Sequence, residues 1–403
     1  MSFFTKFFSN KPQRQLTRAE VVTGNTAIFT SWSGNAYAND IYRGAVDAIA
    51  RNCGKLHGAH FVKYNGTKKD TTDQKLNRLL QVAPNEYMNS YDFLYKLCTH
   101  YFLFNNAFAY LNRDNNGNLL SIYPVTCTQA DFMTDNTGAL YVQFRFRNGN
   151  TVILPYRDLI HLRRDFNSDE LLGDTNEALQ PALELAHTQN EGIINGIKSS
   201  ANIRGILKYT QILAPEKLEA EKEKFVNDYL SMNNSGGVVV TDPKTEYTPI
   251  TNSPASIDAE QLKTVQTKIY NYLGVTEAIV NSSYDENEYN SFYESVLEPI
   301  CLQLSLEFTR KIFTERELAF GNVITFDSGR MIYSNNSTKV NLIKELLPYG
   351  VLTINQALEI LNLPPVEDGD KRLQTLNVVN ANKADKYQLG EKTKPDESKT
   401  ATE

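Results

Sequence analysis

The sequence predicts an α+β fold for this chain of 403 residues, and three of its segments carry that prediction. In 84–125 an apolar helix runs into an aromatic strand, an Asn-Gly turn and a second strand. In 140–147 apolar and polar residues alternate with period two, which is typical of a half-buried antiparallel strand. Two apolar helical stripes, near 175–202 and 257–273, enclose a small strand–helix–strand unit.

Composition allows a sizeable core and limits the classes of function. Hydrophobic residues make up 41% of the chain and charged residues 22%, and the length suggests about two or three domains. We find no membrane span, and the opening MSFFTKFFSN is too short for a signal peptide, so we expect the protein to stay on the cytoplasmic side. The formal net charge of −6 argues against a general nucleic-acid binder, which needs a basic surface.

The amino-terminal elements follow from local signals. Residues 1–35 are polar and are predicted to form an arm. A first helix near 41–50 is predicted to end around Gly54 and Gly58, where left-handed caps cost little. A strand over 60–64, a turn at Asn65 and Gly66, and a helix that ends near Leu80 complete this part.

The central hairpin has the strongest local pattern. Its helix is predicted from residues at helical spacing, namely Phe93, Leu94, Leu97, His100 and Tyr101. Asn116 and Gly117 are predicted to supply the two positive-φ positions of a tight turn. After the period-two strand, Asn148 and Gly149 turn the chain into a strand over 151–155, and 158–162 form a further short strand.

The insert between the two helical stripes is predicted to be a strand at 205–207, a helix at 216–231 and a strand at 236–240. One face of that helix carries a run of charged residues, for which a solvated surface is the ordinary explanation. These residues are Glu216, Lys217, Glu219, Glu221, Lys222, Glu223 and Lys224.

A polar loop over 281–287 precedes a long apolar helix. Pro299 removes a backbone donor from that helix and clashes with the carbonyl four residues back, so we expect a bend near Ser295. Acidic residues at the start of the helix, Asp285, Glu286 and Glu288, would favour its positive N-terminal end.

The carboxyl-terminal part begins with a strand over 324–326 that is predicted to return to the first domain. Helices over 340–347 and 354–361 follow, the second capped by Thr353. Beyond Val379 the chain has few apolar residues and is predicted to be disordered.

Over roughly 40–375 the order of these segments resembles the portal proteins of tailed bacteriophages. Two departures are Thr276, where a proline is usual, and Gln356, where a glutamate is usual. The matching residues are Pro84 and Asn85; Asn106, Ala107, Phe108, Ala109 and Tyr110; Tyr123, Pro124 and Val125; Asp158, Ile160, His161 and Gly173; Leu273, Gly274 and Val275; Leu297, Glu298 and Pro299; Gly350, Thr353 and Asn355; and Leu363, Pro364 and Pro365.

The resemblance implies a portal-like architecture with an α/β wing, two stem helices around a small α/β clip, a long kinked helix and a helical crown. The implied boundaries are the arm at 1–35, the wing at 36–176, the first stem helix at 177–202, the clip at 203–255, the second stem helix at 256–275, the tunnel loop, long helix and return strand at 276–330, the crown at 331–375 and a disordered tail at 376–403.

The resemblance also implies a function without catalysis. About twelve subunits would form a ring at one capsid vertex of the virion, assembled in the host cytoplasm with the major capsid protein and scaffold. Double-stranded DNA would pass through the ring, and terminase and a head–tail adaptor would dock on it. The tunnel loop would face DNA with Asn281, Ser282, Ser283, Tyr284, Asp285, Glu286 and Asn287. The clip would offer Glu216, Lys217, Glu219, Lys222 and Glu223 to partners.

Signs of chemistry are few. Four cysteines, Cys53, Cys98, Cys127 and Cys301, have no CxxC spacing, which favours reduced and packed thiols. Cys53, His57 and His60 could form half of a metal site on a continuous helix, but the intervening glycines argue against that helix. We therefore expect no metal and no cofactor. No GxSxG, Walker or dinucleotide pattern occurs.

Two other functions stay open at this point. The first is an intracellular enzyme that uses Asp158, His161 or Cys98 in a cleft of the first domain, although a short strand would place Asp158 and His161 on opposite faces. The second is a non-portal ring adaptor of a virion, without paired stem helices around a clip.

Overall fold

The computed structural model describes residues 20–21, 36–64, 67–70, 74–201, 205–209, 217, 220, 245–249, 259–327, 336–361 and 363–374. The chain forms two compact units. One comprises Met1–Tyr284 and Ser291–Phe326, and the other comprises Asp285–Asn290 and Asp327–Glu403. Helices and antiparallel strands are mixed along the chain, which confirms the predicted α+β class.

The described α-helices are, in chain order, α1 (Asp40–Gly54), α2 (Gln74–Gln81), α3 (Ser90–Phe104), α4 (Gln180–Ala201), α5 (Ala259–Leu273), α6 (Glu277–Asn281), α7 (Glu286–Phe292), α8 (Glu298–Ile312), α9 (Glu315–Ala319), α10 (Asn336–Leu346) and α11 (Ile354–Ile360). A π-helical segment, Tyr293–Leu297, connects α7 to α8.

The described strands are β1 (Glu20–Val21), β2 (His57–Tyr64), β3 (Thr67–Asp70), β4 (Asn106–Arg113), β5 (Leu119–Val125), β6 (Gln129–Thr134), β7 (Leu140–Arg145), β8 (Thr151–Pro155), β9 (Leu159–Arg163), β10 (Gly205–Tyr209), β11 (Thr245–Pro249), β12 (Asn322–Asp327), β13 (Tyr349–Thr353) and β14 (Arg372–Gln374). They pair as β1-β6-β7-β8, β5-β4-β9, β12-β2-β3, β10-β11 and β13-β14.

The core of the first unit lies where residues of β5-β4-β9 pack against residues of β6-β7-β8. Phe108 on β4 contacts Phe144 on β7 edge to face, with ring centroids 5.2 Å apart. The period-two prediction for β7 is confirmed, because Val142 and Phe144 are fully buried on one face. Such aromatic pairs add to the stabilisation that burial of apolar area provides.

The return strand is also confirmed, since β12 pairs with β2. Gly58 lies inside β2, where a Cβ would collide with the ring of Phe326 on β12. α1 ends at Gly54, as predicted, but the predicted left-handed caps are absent: neither Gly54 nor Gly58 has a positive φ, and the residue after the helix, Lys55, is right-handed.

The central hairpin forms as predicted, but its turn differs. Gly117 has φ +87°, whereas Asn116 is not in the positive-φ region. The turn is stabilised instead by the side chain of Asp114. Its carboxylate accepts hydrogen bonds from the backbone N–H groups of Asn116 and Asn118, both at 2.8 Å. Only one of the two predicted positive-φ positions is present.

Other predictions fall partly outside the described residues. The clip strand predicted at 236–240, most of the predicted clip helix, most of the arm and the tail beyond Val379 lie there. Within the described part, β10 pairs with β11, a strand that the sequence did not predict. In the second unit, Thr353 caps α11 and Gln356 completes the capping box, so Gln356 performs the capping role of a glutamate.

Candidate functional site

The predicted tunnel loop begins at the end of a short helix. Thr276 caps the N-terminus of α6 by accepting a hydrogen bond from the N–H of Ile279 at 3.4 Å. At its other end, Ser282 adopts a left-handed conformation with φ +58°, and the N–H of Ser283 donates to the carbonyl of Ala278 at 2.9 Å. These bonds satisfy carbonyls that a helix end leaves free, and they place Asn281 in the helix.

The loop ends sooner than the sequence predicts. The carboxylate of Asp285 accepts from the N–H of Glu288 at 2.7 Å, and the N–H of Asp285 donates to the carboxylate of Glu288 at 3.0 Å. This reciprocal pair caps α7. Glu286 and Asn287 are therefore helical, and only Ser282–Tyr284 and the capping residue Asp285 remain between the helices.

The acidic residues at this position thus have a structural role in capping. Their contact with DNA stays a prediction. The side chains of Asn281, Ser282, Ser283, Asp285 and Asn287 are exposed, and those of Tyr284 and Glu286 are half-buried.

The helix after the loop is irregular where a bend is predicted. The π-helical turn Tyr293–Leu297 directly precedes Pro299, and the hydroxyl of Ser295 donates to the carbonyl of Ser291 at 2.7 Å. Sharp bends in helices are almost always found at a proline, at a π-turn or where a side chain inserts into the helical hydrogen bonds. The bend itself stays a prediction.

Beyond that turn, α8 supplies hydrogen bonds to the open edge of β9. Gln303 accepts from the N–H of Arg163 at 3.2 Å and donates to its carbonyl at 2.9 Å. Glu307, four residues later, accepts from the N–H of His161 at 3.3 Å. Residues four apart lie on one face of a helix, so α8 acts as a partner for an edge strand.

A second face of α8 forms hydrogen bonds with the backbone of β12. The hydroxyl of Thr309 accepts from the N–H of Ile324 at 2.9 Å, and that of Ser305 accepts from the N–H of Phe326 at 2.8 Å. The long helix is therefore hydrogen-bonded to two different sheets of the first unit. Any displacement of α8 along its axis would break bonds in both.

Two motifs of the resemblance meet in one buried network. The amide oxygen of Asn106 accepts from the N–H of Gly173 at 2.9 Å and lies 3.1 Å from His161 Nε2. Its amide nitrogen donates to the carbonyls of Phe104 and Gly173 at 3.2 and 3.1 Å. A Cβ at Gly173 would overlap the carbonyl oxygens of Asn105 and Arg164. This packing explains why an asparagine, a histidine and a distant glycine occur together.

His161 is held neutral in this network. Its ring is stacked 4.1 Å from the ring of Phe108, and its Nδ1 lies 3.3 Å from the hydroxyl of Tyr156. Burial lowers the pKa of His161 well below its usual value, and the nearby Arg163, Lys311 and Arg310 lower it further. A proton on Nε2 directed at Asn106 and a lone pair on Nδ1 facing Tyr156 satisfy both nitrogens.

The ends of the two predicted stem helices meet at one point. Asn176, just before α4, donates to the carbonyls of Phe102 and Leu103 at 3.1 and 3.0 Å. The hydroxyl of Tyr272, in the last turn of α5, donates to Asn176 Oδ1 at 2.8 Å. Arg164 donates to the carbonyl of Tyr272 at 2.7 Å. A cation at helix C-terminal carbonyls is favourable, so both ends are anchored on the end of α3.

The residues considered for enzymatic chemistry are not brought together. His161 and Cys98 are buried in the core. Asp158 instead lies near Arg113, with Nε 3.6 Å from the carboxylate, and burial raises its pKa. Cys53 belongs to α1, while His60 on β2 contacts Asn322 at 2.8 Å. The four cysteines are buried and free, as predicted.

No group of three or more His, Cys, Asp or Glu side chains among the described residues could hold a metal ion. No helix in the described part of the chain is long and apolar enough to cross a membrane. Of the predicted clip residues only Lys217 is described, as helical and exposed, whereas Glu216, Glu219, Lys222 and Glu223 lie outside the described residues.

Sequence reasoning missed the residues that join the elements, namely Gln303, Ser305, Glu307, Thr309, Asn176 and Arg164. One signal was present: Gln303 and Glu307, like Ser305 and Thr309, are polar pairs four apart within an apolar helix. Their partners on β9 and β12 are distant in sequence, and nothing in the pattern identifies them.

The fold and these joints define a structural scaffold subunit, in which buried polar side chains hold helices and sheets together. A family model described as "Phage portal protein" matches residues 41–362. The chain belongs to the phage portal protein family, and it is a portal subunit located at a capsid vertex of a virion.

Individual relatives agree with this assignment. The probable portal protein of Lactococcus phage p2 is 23% identical over 378 residues, covering 89% of this chain and 90% of that protein. The portal protein of Enterobacteria phage HK97 is 20% identical over 334 residues, covering 77% and 75%. The neck of a native gene transfer agent particle, computed with C12 symmetry, aligns with a TM-score of 0.62 at 14% identity, covering 86% and 96%. That last likeness concerns the fold.

Proposed function

We propose that about twelve copies of this chain form a ring whose channel passes double-stranded DNA during packaging and ejection, and that terminase and a head–tail adaptor dock on its clip. The ring would be assembled in the host cytoplasm with the major capsid protein and scaffold. The observation that carries the proposal is the joint between Asn176 and Tyr272. Because the chain leaves and re-enters the wing there, the intervening residues of the sequence, 177–271, are available for a stem and clip.

The charge of the chain suits a conduit. Twelve copies at −6 each carry about −72, and an acidic ring does not retain a polyanion by counterion release. Within this proposal the exposed side chains of Asn281, Ser283 and Asp285 line the path of DNA. They would let the duplex slide because they offer it no cation.

The first experiment is the mass of the purified chain, by native mass spectrometry and light scattering, with negative-stain images of the same sample. We expect rings of about a dozen 45.6 kDa subunits with a central hole. A monomer or dimer that stays so when scaffold and capsid protein are added would contradict the proposal. It would favour an enzyme with a pocket in the first domain.

The channel assignment has its own test. We expect Asn281→Lys with Ser283→Lys to make the ring retain duplex DNA, with an affinity that falls steeply as salt rises. Neither side chain serves as a cap, so the helices should remain intact. The matched control places two lysines at exposed Asn150 and Thr151 on the wing. Equal retention by both variants would argue that 281–287 do not face the channel.

A further inference from the structure

A cleft of about 1170 Å³ lies in the first unit, at the C-terminal end of α8. The hairpin turn after β4, the turn before β7 and residues 155–158 form its other walls. Four cations line it: Arg113, Arg157, Arg310 and Lys311. None of the interactions described above for the portal function uses the cleft.

The carboxylates in the same cleft are already occupied. Asp114 accepts from Asn116, Asn118 and the side chain of Asn118 within its own turn. Asp135 accepts from the N–H groups of the next turn, at Thr137 and Ala139. Asp158 faces Arg113 at 3.6 Å. Asp158 also lies 3.9 Å from Arg157, and Arg310 pairs with Glu307 at 2.8 Å. Lys311 is therefore the cation of the cleft for which the described residues supply no ion pair.

Lys311 is the cation with the least compensation. Its ammonium donates to the carbonyl of Tyr156 at 2.6 Å and lies 3.7 Å from the centre of the Tyr156 ring. Among the described residues it forms no ion pair with a carboxylate. Burial lowers the pKa of Lys311 to about 8, and Arg310 and Arg163 lower it while Glu307 and Asp158 raise it. A half-buried ammonium in this position is stabilised by an added carboxylate.

The surface next to the cleft is suited to binding another protein. Leu302, Leu306 and Arg310 follow one another at intervals of four along the outer row of α8, and the two leucines are about 60% exposed. Exposed apolar residues beside a charged cleft are typical of protein–protein contacts.

We propose that the cleft and the outer row of α8 form a subunit–subunit surface, which receives an acidic side chain of a second copy of this chain. The inference rests on the proposed ring. In a ring each subunit presents one face to a different face of its neighbour, so a cationic cleft requires an acidic counterpart. The chain has an excess of acidic residues, 47 against 41 lysines and arginines, from which a neighbouring copy can supply this counterpart.

The test is zero-length cross-linking of assembled rings. Rings are built from equal amounts of ¹⁴N- and ¹⁵N-labelled chains and treated with a carbodiimide, which joins a lysine amine to a carboxylate in contact. We expect products that join Lys311 of one chain to an Asp or Glu of a chain with the other label. Rings in which Lys311 joins only Asp158 or Glu307 of its own chain would overturn the proposal. A second result would also overturn the proposal: Lys311 is protected from acetylation when duplex DNA is added, but is not protected when the chains assemble.

A charge reversal provides the second measurement. Arg157 is 85% exposed and lies 3.9 Å from Asp158, an ion pair of the exposed kind that contributes little to stability, so Arg157→Glu should leave the chain folded while raising the assembly concentration roughly tenfold. The control is Arg147→Glu, an exposed arginine beyond the other end of β7. If both variants assemble like the native chain, the cleft is not the interface. If the native chain forms no ring, the proposed function itself has failed.

Discussion

The buried network around Asn106 and the segment around Ser282 differ in how their polar groups are satisfied. In the network, one amide joins a histidine 55 residues away and a glycine 67 residues away. In the loop, each described bond that closes a helix end joins residues no more than five apart. The first arrangement exists only in the folded chain, while the second could form in any chain with the same local sequence. We therefore expect large effects in the network and small ones in the loop.

Asn106→Ala should cause the largest loss of stability. It leaves the N–H and carbonyl of Gly173 and Nε2 of His161 without partners, and buried unsatisfied groups cost about 1–3 kcal/mol each. We expect the free energy of unfolding to fall by about 3 kcal/mol or more in urea titrations at fixed protein concentration. The control, Asn112→Ala on the same strand, removes a bond to Ser121 and should cost about 1 kcal/mol. Similar losses for both variants would show that the network around Asn106 contributes no more stability than a single side-chain hydrogen bond.

The second largest effect should be a loss of stability in acid. Burial lowers the pKa of His100 to about 3 and that of His161 well below its usual value. The unfolded chain therefore binds protons near pH 6.5 that the folded chain refuses, and stability falls as pH drops below 6.5. Between pH 6.5 and 5 each histidine contributes a slope of up to about 1.4 kcal/mol per pH unit. His100→Leu should remove one of the two contributions. An unchanged slope in urea titrations would argue that His100 is protonated in the fold.

Tyr272→Phe is an intermediate case, because it removes one hydroxyl that links the end of α5 to Asn176. We expect a loss of about 1 kcal/mol. Hydrogen exchange should accelerate in α5 and at 174–180 and stay unchanged in β6–β8. Tyr270→Phe is the matched control on the same helix, since its hydroxyl accepts from Gln266, four residues earlier, and from no other side chain that the structure describes. Equally fast exchange in both variants would mean that the hydrogen bond between Tyr272 and Asn176 is not what holds the end of α5.

Asp285→Ala should have the smallest effect. It removes the N-terminal cap of α7, which is worth about 1 kcal/mol in most helices. We expect faster hydrogen exchange at 286–289 and a change in overall stability of about 0.5 kcal/mol, the low end of the range for such caps, because Asp285 is exposed. Asp285→Asn keeps an oxygen acceptor and should restore most of the protection. A loss as large as that of Asn106→Ala would place Asp285 in a long-range network, contrary to its described bonds.

What the sequence determined by itself is the local part of this protein. Periodicity identified the helix from 90 onward, the strand β7 and the helices α4 and α5, because side-chain spacing reports the face that an element buries. The capping residue Thr353 and the turn glycines at 117 and 149 were equally predictable. The portal resemblance was likewise visible in the sequence, since it consists of short motifs in a fixed order.

Only the tertiary structure decided the connections between those elements. Gly54 and Gly58 resemble caps, yet Gly58 lies in a strand, where it has to be a glycine because Phe326, 268 residues later, occupies the space of a side chain. Ser305 and Thr309 resemble ordinary helical polar residues, yet they bond the edge of β12. Local patterns depend on neighbours that the sequence places at known distances. Buried hydrogen bonds depend on which distant backbone groups the packing leaves without a partner.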